Sequence, residues 1–398
     1  MYDAIVVGAR CGGSPTAMLL ARKGYRVLLV DKAGFPSDTL STHYVHQHGA
    51  ARLARWGLLE QVIASNCPPV RGLRLDLGYF ALEGSPPPVD GVADGYAPRR
   101  TVLDQILVEA AVAAGAELRE HFTVDDLLAD GDRVTGIRGH AAGGAAVTEH
   151  ARIVIGADGR HSLVARSVQA PAYHETPALT CAYYTYWTDV PMNCAELYPR
   201  PDRMIIAAPT NDGRTLTIVF WPQAEFHRVR ADIEGNFLKV LDLAPGLAER
   251  VRFGKRSERF RGTADLPNYF RQPHGPGWAL VGDAGYHKDP ILAIGISDAF
   301  RDAEFLAEAI DGGLAGRQLL DDALTDYQRQ RDEAAAPSFG ATLQFAHLQP
   351  PPAETQQLFA ALRHNREQTG RLFGTLFGTV PASEFFAPEN VERIMTAA

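Results

Sequence analysis

Three carboxylates stand where apolar runs stop, and their chemistry sets the reading of the chain. Asp283 follows the run Trp278 to Val281; after Pro290 and the stretch Ile291 to Gly295, a helical pattern extends from Ser297 to Ile310. A carboxylate at a strand end accepts hydrogen bonds from a hydroxyl-rich ligand. A helix start, with free N–H groups and the positive end of the dipole, suits a part of the ligand that becomes negative. A reduced flavin on a ribityl chain needs both features, although a strand–turn–helix of any α/β protein has the same pattern.

The second carboxylate, Asp31, ends the strand pattern Arg26 to Val30. It is preceded by a strand pattern Tyr2 to Val7, the loop Gly8-Ala9-Arg10-Cys11-Gly12-Gly13 and a helical run Ser14 to Lys23. This compact βαβ unit has a glycine-rich first turn, and its acidic residue is placed to accept hydrogen bonds from an adenosine ribose. The fingerprint wants glycine at the positions of Gly8, Arg10 and Gly13, so the middle one departs; Arg10 can reach a pyrophosphate, and Gly12 can restore close backbone approach. The third carboxylate, Asp158, lies in the turn Gly156-Ala157-Asp158-Gly159 after Ile153 to Ile155, with Ser162 near the start of the next helix. A rigid strand positions that turn.

Other candidates are less determined. Arg99-Arg100 leads a helix carrying Leu103, Leu107 and Ala111 on one face. Arginine is not favoured there by the dipole, so a local anion or plain solvation explains it. His43, His46 and His48 sit in a polar segment before the amphipathic helix Gly49 to Ile63. No cysteine or carboxylate joins them at metal-ligand spacing, which sets surface, capping or cleft-lining roles ahead of a metal site. From Thr180 to Phe260 the pattern becomes antiparallel strands rich in aromatics, among them Tyr184 and Tyr186, with a turn at Asn211-Asp212-Gly213. Sheet packing accounts for most of these aromatics, and a flat, partly polar substrate suits the rest.

The elements that must carry these groups are bounded by composition. A chain of 398 residues, 46% hydrophobic and 22% charged, can bury a substantial core in two or three domains. Its net charge of −8 offers no basic footprint for nucleic acid or an anionic membrane. No secretory leader or bilayer-spanning stretch is read. The four cysteines lack zinc spacing and a chain of this size needs no disulfides, so a cytoplasmic setting with reduced thiols is expected, and Cys11 suits packing or redox chemistry.

The three stretches, in the order N-terminal loop, central Asp-Gly turn and late Gly-Asp turn, resemble the single-component FAD-dependent monooxygenases of the para-hydroxybenzoate hydroxylase class. The resemblance covers residues 1–60, 96–170 and 275–335, through Gly8, Gly13 and Asp31; Arg100 with Leu103 and Leu107; Gly156 to Gly159 with Ser162; and Gly282, Asp283, Ala284, Pro290 and Gly295. Two positions depart: Ala293-Ile294-Gly295 replaces glycine–polar–glycine, and Ser297 replaces an asparagine. The halogenase signature tryptophan–x–tryptophan–x–isoleucine–proline is absent. Thr217 to Pro222 is loosely similar to the aromatic-proline strand of geranylgeranyl reductases.

The resemblance implies an α/β fold: a Rossmann-like FAD-binding domain from residues 1–75, 96–175 and 270–345, an inserted antiparallel-sheet substrate domain from 76–95 and 176–269, and C-terminal helices over 346–398. It implies FAD held by Gly8, Arg10, Gly12, Gly13, Asp31, Lys32, Arg100, Asp158, Gly282, Asp283, Pro290, Gly295, Ile296 and Ser297, and no metal. NAD(P)H and O2 would serve as reductant and co-substrate, and a flavin C4a-hydroperoxide would pass one oxygen atom to a small aromatic or polycyclic substrate. His43, His46, Tyr184 and Tyr186 are the candidate catalytic side chains, in a monomer or homodimer. A flavin-dependent reductase and a non-catalytic flavin-binding protein are the alternatives.

Overall fold

A computed structural model describes residues 1–396. Its first sheet has a parallel core in the order Trp278–Leu280, Ala146–Gly156, Tyr2–Val7, Val27–Val30 and Glu117–Arg119, with His274–Gly275 added antiparallel at one edge. The central strands are apolar where they pair, Ala4 to Val7, Val27 to Val30 and Ile153 to Ile155, because both faces of the sheet are covered. One face packs on the helices Gly13–Arg22, Arg100–Ala113 and Gly295–Leu314. The other packs on the hairpin Phe122–Asp130 and Arg133–Ala141.

Register decides where the chemistry lies. Val7 stands opposite both Val30 and Gly156, and Gly156 stands opposite Leu280. The glycine loop, Asp31, the Asp158 turn and the Gly282-Asp283 turn therefore leave the sheet at one level of its carboxyl edge, the place where open α/β sheets bind ligands.

The second sheet is mainly antiparallel, in the order Lys255–Arg256, Thr180–Thr188, Arg214–Pro222, Arg203–Thr210, Ala195–Arg200, Leu73–Asp76 and Ala81–Gly84, with Arg261–Thr263 also on Thr180–Thr188. It begins at Leu73, slightly ahead of the expected excursion. Strand alternation sends Ala182, Tyr184 and Tyr186 to one face and Cys181, Tyr183 and Trp187 to the other. The second face is covered by helices Phe226–Ala231, Ile233–Leu241 and Pro245–Phe253, which the strand reading of this region misses. The first face belongs to an apolar cluster that also takes Leu292 and Ile294 from the first domain and Leu358, Phe373 and Phe377 from the C-terminal helices. No helix among the described residues is long and apolar enough to cross a membrane.

Candidate functional site

The glycine loop is shaped by contacts that exclude side chains. Gly8 has φ +102°, and a Cβ there would lie 2.4 Å from the Ala157 carbonyl oxygen. A Cβ on Gly13 would lie 1.8 Å from the Gly8 carbonyl oxygen. Gly13 thus sits behind the loop as the first residue of its helix, and Gly12 and Arg10 face outward. The loop is tied to the second strand through Asp31, whose carboxylate accepts from Ala9 N at 2.7 Å and Ala33 N at 2.8 Å.

A cavity of about 730 Å³ runs along the carboxyl edge and under the second sheet. Its walls include Gly8, Arg10, Gly12, Asp31 and Lys32 from the first unit, and Asp158 from the central turn. Arg100, Gly282, Asp283, Pro290, Gly295 and Ile296 join them, and Tyr184 comes from across the domain boundary. Gly13, Ser297, His43, His46 and Tyr186 stand outside this lining.

The anion beside Arg100 is one turn away on its own helix. Asp104, fully buried, accepts Arg100 Nε and Nη2 at 3.0 Å each and Arg10 Nη1 at 2.5 Å. One carboxylate thereby aims two guanidinium groups at the cavity and leaves a net positive charge. The sequence reading did not single out Asp104; its signal was the i,i+4 spacing from Arg100. Burial pushes the Cys11 thiol up to about 12, and its Sγ rests 3.5 Å from Asp104, so it packs as a neutral thiol.

Three groups face the cavity with unspent polar capacity. Asp158 caps the short helix Leu163–Ser167 by accepting Leu163 N through Oδ2 at 2.6 Å, while its buried Oδ1 has no partner and its pKa is raised by burial. Asp283 is exposed in a 3-10 turn, and its carboxylate makes no hydrogen bond to the protein among the described residues. The helix Gly295–Leu314 starts without a side-chain cap, because its N-cap position is held by Ile294; Ser297 Oγ, one turn in, accepts His46 N at 3.2 Å. Ala293, where glycine was expected, adopts φ +53° just before it. Beneath this helix, burial opposes ionisation of Asp298, yet Arg301 and Lys288 hold it down to about 2.

The histidines are interior groups. His43 is fully buried with φ +63° and pairs through Nε2 with the Tyr186 hydroxyl; burial and then the charges of Arg100, Arg99 and Arg261 hold its pKa well below the usual imidazole value. His46 donates from Nε2 to the Leu292 carbonyl at 3.1 Å, stacks on Phe377 at 4.2 Å, and burial holds it at about 4. No group of three or more His, Cys, Asp or Glu suited to a metal ion occurs among the described residues. Tyr186 lies under the Arg99 guanidinium at 4.1 Å, while the buried Tyr184 hydroxyl has no partner.

The cradle fits an extended dinucleotide: a loop with no room for a Cβ, a carboxylate oxygen without a partner, two arginines and an uncapped helix start face one cavity. Comparison with known proteins agrees. Residues 1–338 match the family described as FAD binding domain. The chain is 26% identical over 351 residues to the digeranylgeranylglycerophospholipid reductase of Methanocella arvoryzae, covering 85% of this chain and 84% of that protein. It is 27% identical over 384 residues to the rifampicin monooxygenase of Streptomyces venezuelae, covering 91% and 75%. The flavin-dependent brominase Bmp2 superposes with a TM-score of 0.83 at 20% identity over 100% of this chain and 98% of that one, a likeness of fold. The chain belongs to the FAD binding domain family, within the para-hydroxybenzoate hydroxylase-like flavoproteins, and is an FAD-dependent oxidoreductase.

Proposed function

We propose that the chain is a monooxygenase that takes electrons from NAD(P)H and places one atom of O2 on a small aromatic or polycyclic substrate. One observation carries this reading. The uncapped amino end of the Gly295–Leu314 helix opens into the same cavity as a largely apolar wall from the second sheet, Ala182, Tyr184, Ile218 and Phe220. Bound FAD supplies the electron transfer and oxygen activation.

The chain's own residues bind, orient and exclude water. Gly8 and Gly13 let the loop backbone approach the pyrophosphate, with Gly12, Arg10 and Arg100 facing it from the same side. Asp31 and Lys32 take the adenosine ribose and its surroundings, Asp158 adds a carboxylate oxygen, and Asp283 accepts the ribityl hydroxyls. The amides of Gly295, Ile296 and Ser297 favour negative charge on the flavin ring edge, which Gly282 and Pro290 help to position. Residues 76–95 and 176–269 supply the substrate side, and the apolar cluster behind that wall keeps water out. Tyr184 contacts the substrate; His43, His46 and Tyr186, outside the lining, position the wall and the helix start.

Oxygen-18 gas supplied with NAD(P)H and a panel of phenols and polycyclic aromatics tests the reading. The expected product carries one labelled atom. A reduced product with no label would favour the second reading, a reductase acting on a C=C bond, which draws on the similarity to the archaeal reductase and on Ala293 in place of glycine.

A further inference from the structure

The charges around the cavity are unevenly committed. The second sheet and the segment after it contribute Ala182, Tyr184, Ile218, Phe220, Gly262, Thr263 and Leu266, and no ionised side chain, to the wall. Cations that reach the cavity elsewhere are spoken for: Arg10 and Arg100 by Asp104, Arg160 by Asp265 at 3.1 Å, and Lys288 by Asp298 at 2.8 Å. Lys32 and Arg166 belong to the segments that carry Asp31 and Asp158, not to this wall.

Besides Thr263, two polar groups meet the wall. Asp289 is buried, accepting Thr180 Oγ1 through Oδ2 at 2.6 Å and Ile291 N through Oδ1 at 3.0 Å. Thr180 opens the strand that carries Ala182 and Tyr184, so the carboxylate lies at the root of the wall. No cation among the described residues is within ion-pair distance of it. Tyr184 is 5% exposed, and its hydroxyl has no hydrogen-bond partner among the described residues. A buried hydroxyl without a partner is costly unless a ligand satisfies it. The cations that act on Tyr184, Arg99 and Arg261, are already paired with Asp38 and Glu258, so a second carboxylate brought to this apolar wall, with a buried anion at its root, pays both desolvation and repulsion.

We infer that the chamber selects uncharged, largely apolar substrates with one hydroxyl or carbonyl oxygen, Tyr184 making the polar contact and Asp289 turning anionic substrates away. The inference deepens the proposed reaction and rests on it for the substrate's location. Its test is therefore a binding measurement. FAD-loaded protein at pH 7.5 is titrated with 2-naphthol, 6-hydroxy-2-naphthoate and naphthalene, followed by flavin absorbance and by equilibrium dialysis. Binding of 2-naphthol at least ~10-fold tighter than the naphthoate is expected. In Asp289→Asn the gap should narrow through tighter naphthoate binding, and in Tyr184→Phe the preference for 2-naphthol over naphthalene should vanish. Equal or tighter binding of the naphthoate by the wild type overturns the inference, as does binding of none of the probes; this comparison stands even if a variant fails to fold. An unlabelled product from a bound probe under oxygen-18 counts against the reaction and leaves the selectivity intact.

Discussion

The shared carboxylate of Asp104 offers the sharpest test of how the cofactor cradle is built. In Asp104→Asn the two guanidinium groups of Arg10 and Arg100 lose the only charge between them. Removing one partner of a buried ion pair costs ~3–5 kcal/mol. Arg10 is a quarter exposed, and the amide keeps one acceptor, which places the cost near the low end, ~3 kcal/mol. An unfolding entropy of ~2.1 cal/mol/K per residue over 398 residues is roughly 0.8 kcal/mol/K, so the midpoint should fall by about 4 °C. Thermal unfolding of the flavin-free protein, followed by circular dichroism, reads this directly. Adding Arg10→Met removes one stranded cation, so the double variant should be less destabilised than the sum of the singles by at least ~1 kcal/mol. An additive cycle, or a single-variant shift within ~1 °C, would refute the claim that one carboxylate balances both arginines.

Three further outcomes follow from the geometry. Asp283→Ala should be purified with little FAD, read from the ratio of flavin to protein absorbance; full flavin occupancy would remove Asp283 from the cradle. Gly13→Ala drives a methyl group to within 1.8 Å of the Gly8 carbonyl oxygen, so the loop must distort and FAD binding should be lost while the circular dichroism of the rest persists. His46 and His48 are held down to about 4 and about 3, chiefly by burial, and are neutral in the fold. The unfolded chain takes up their protons below ~6.5, so their contribution to stability is complete above that pH and is lost as pH falls toward 4. His48→Leu should flatten the fall in unfolding midpoint across that window, and an unchanged slope would show that other groups drive it.

The cofactor half of the molecule was legible because its signals are local. A strand, a tight turn and a helix within one unit leave a pattern of glycine and apolar residues, and parallel register then places separate turns at one level without further information. The anion expected near Arg100 was read as a need but not located, because Asp104 looks like an ordinary helical acid until its burial is known. His43 and His46 looked polar and accessible in sequence; tertiary packing beneath the second sheet buries both, against their usual preference. The helices at 226–253 were missed because their short amphipathic turns sit between strand patterns, and the covering of the Trp187 face only appears once the sheet exists. The charge pattern of the substrate wall was out of reach for the same reason: it depends on which of two alternating faces Tyr184 takes.

The apolar cluster that joins the chamber wall to Leu358, Phe373 and Phe377 sets an order of assembly during synthesis. The glycine loop, the Asp158 turn, the Gly295–Leu314 helix and the Leu320–Ala346 helix that braces them have all been made once residue 346 has emerged, whereas the backing of the wall awaits the helices after residue 353. A domain generally folds as its chain appears. The nucleotide cradle can therefore form on the nascent chain while the substrate side still lies open, and the closing segment acts as a late seal on a molecule already able to hold its cofactor.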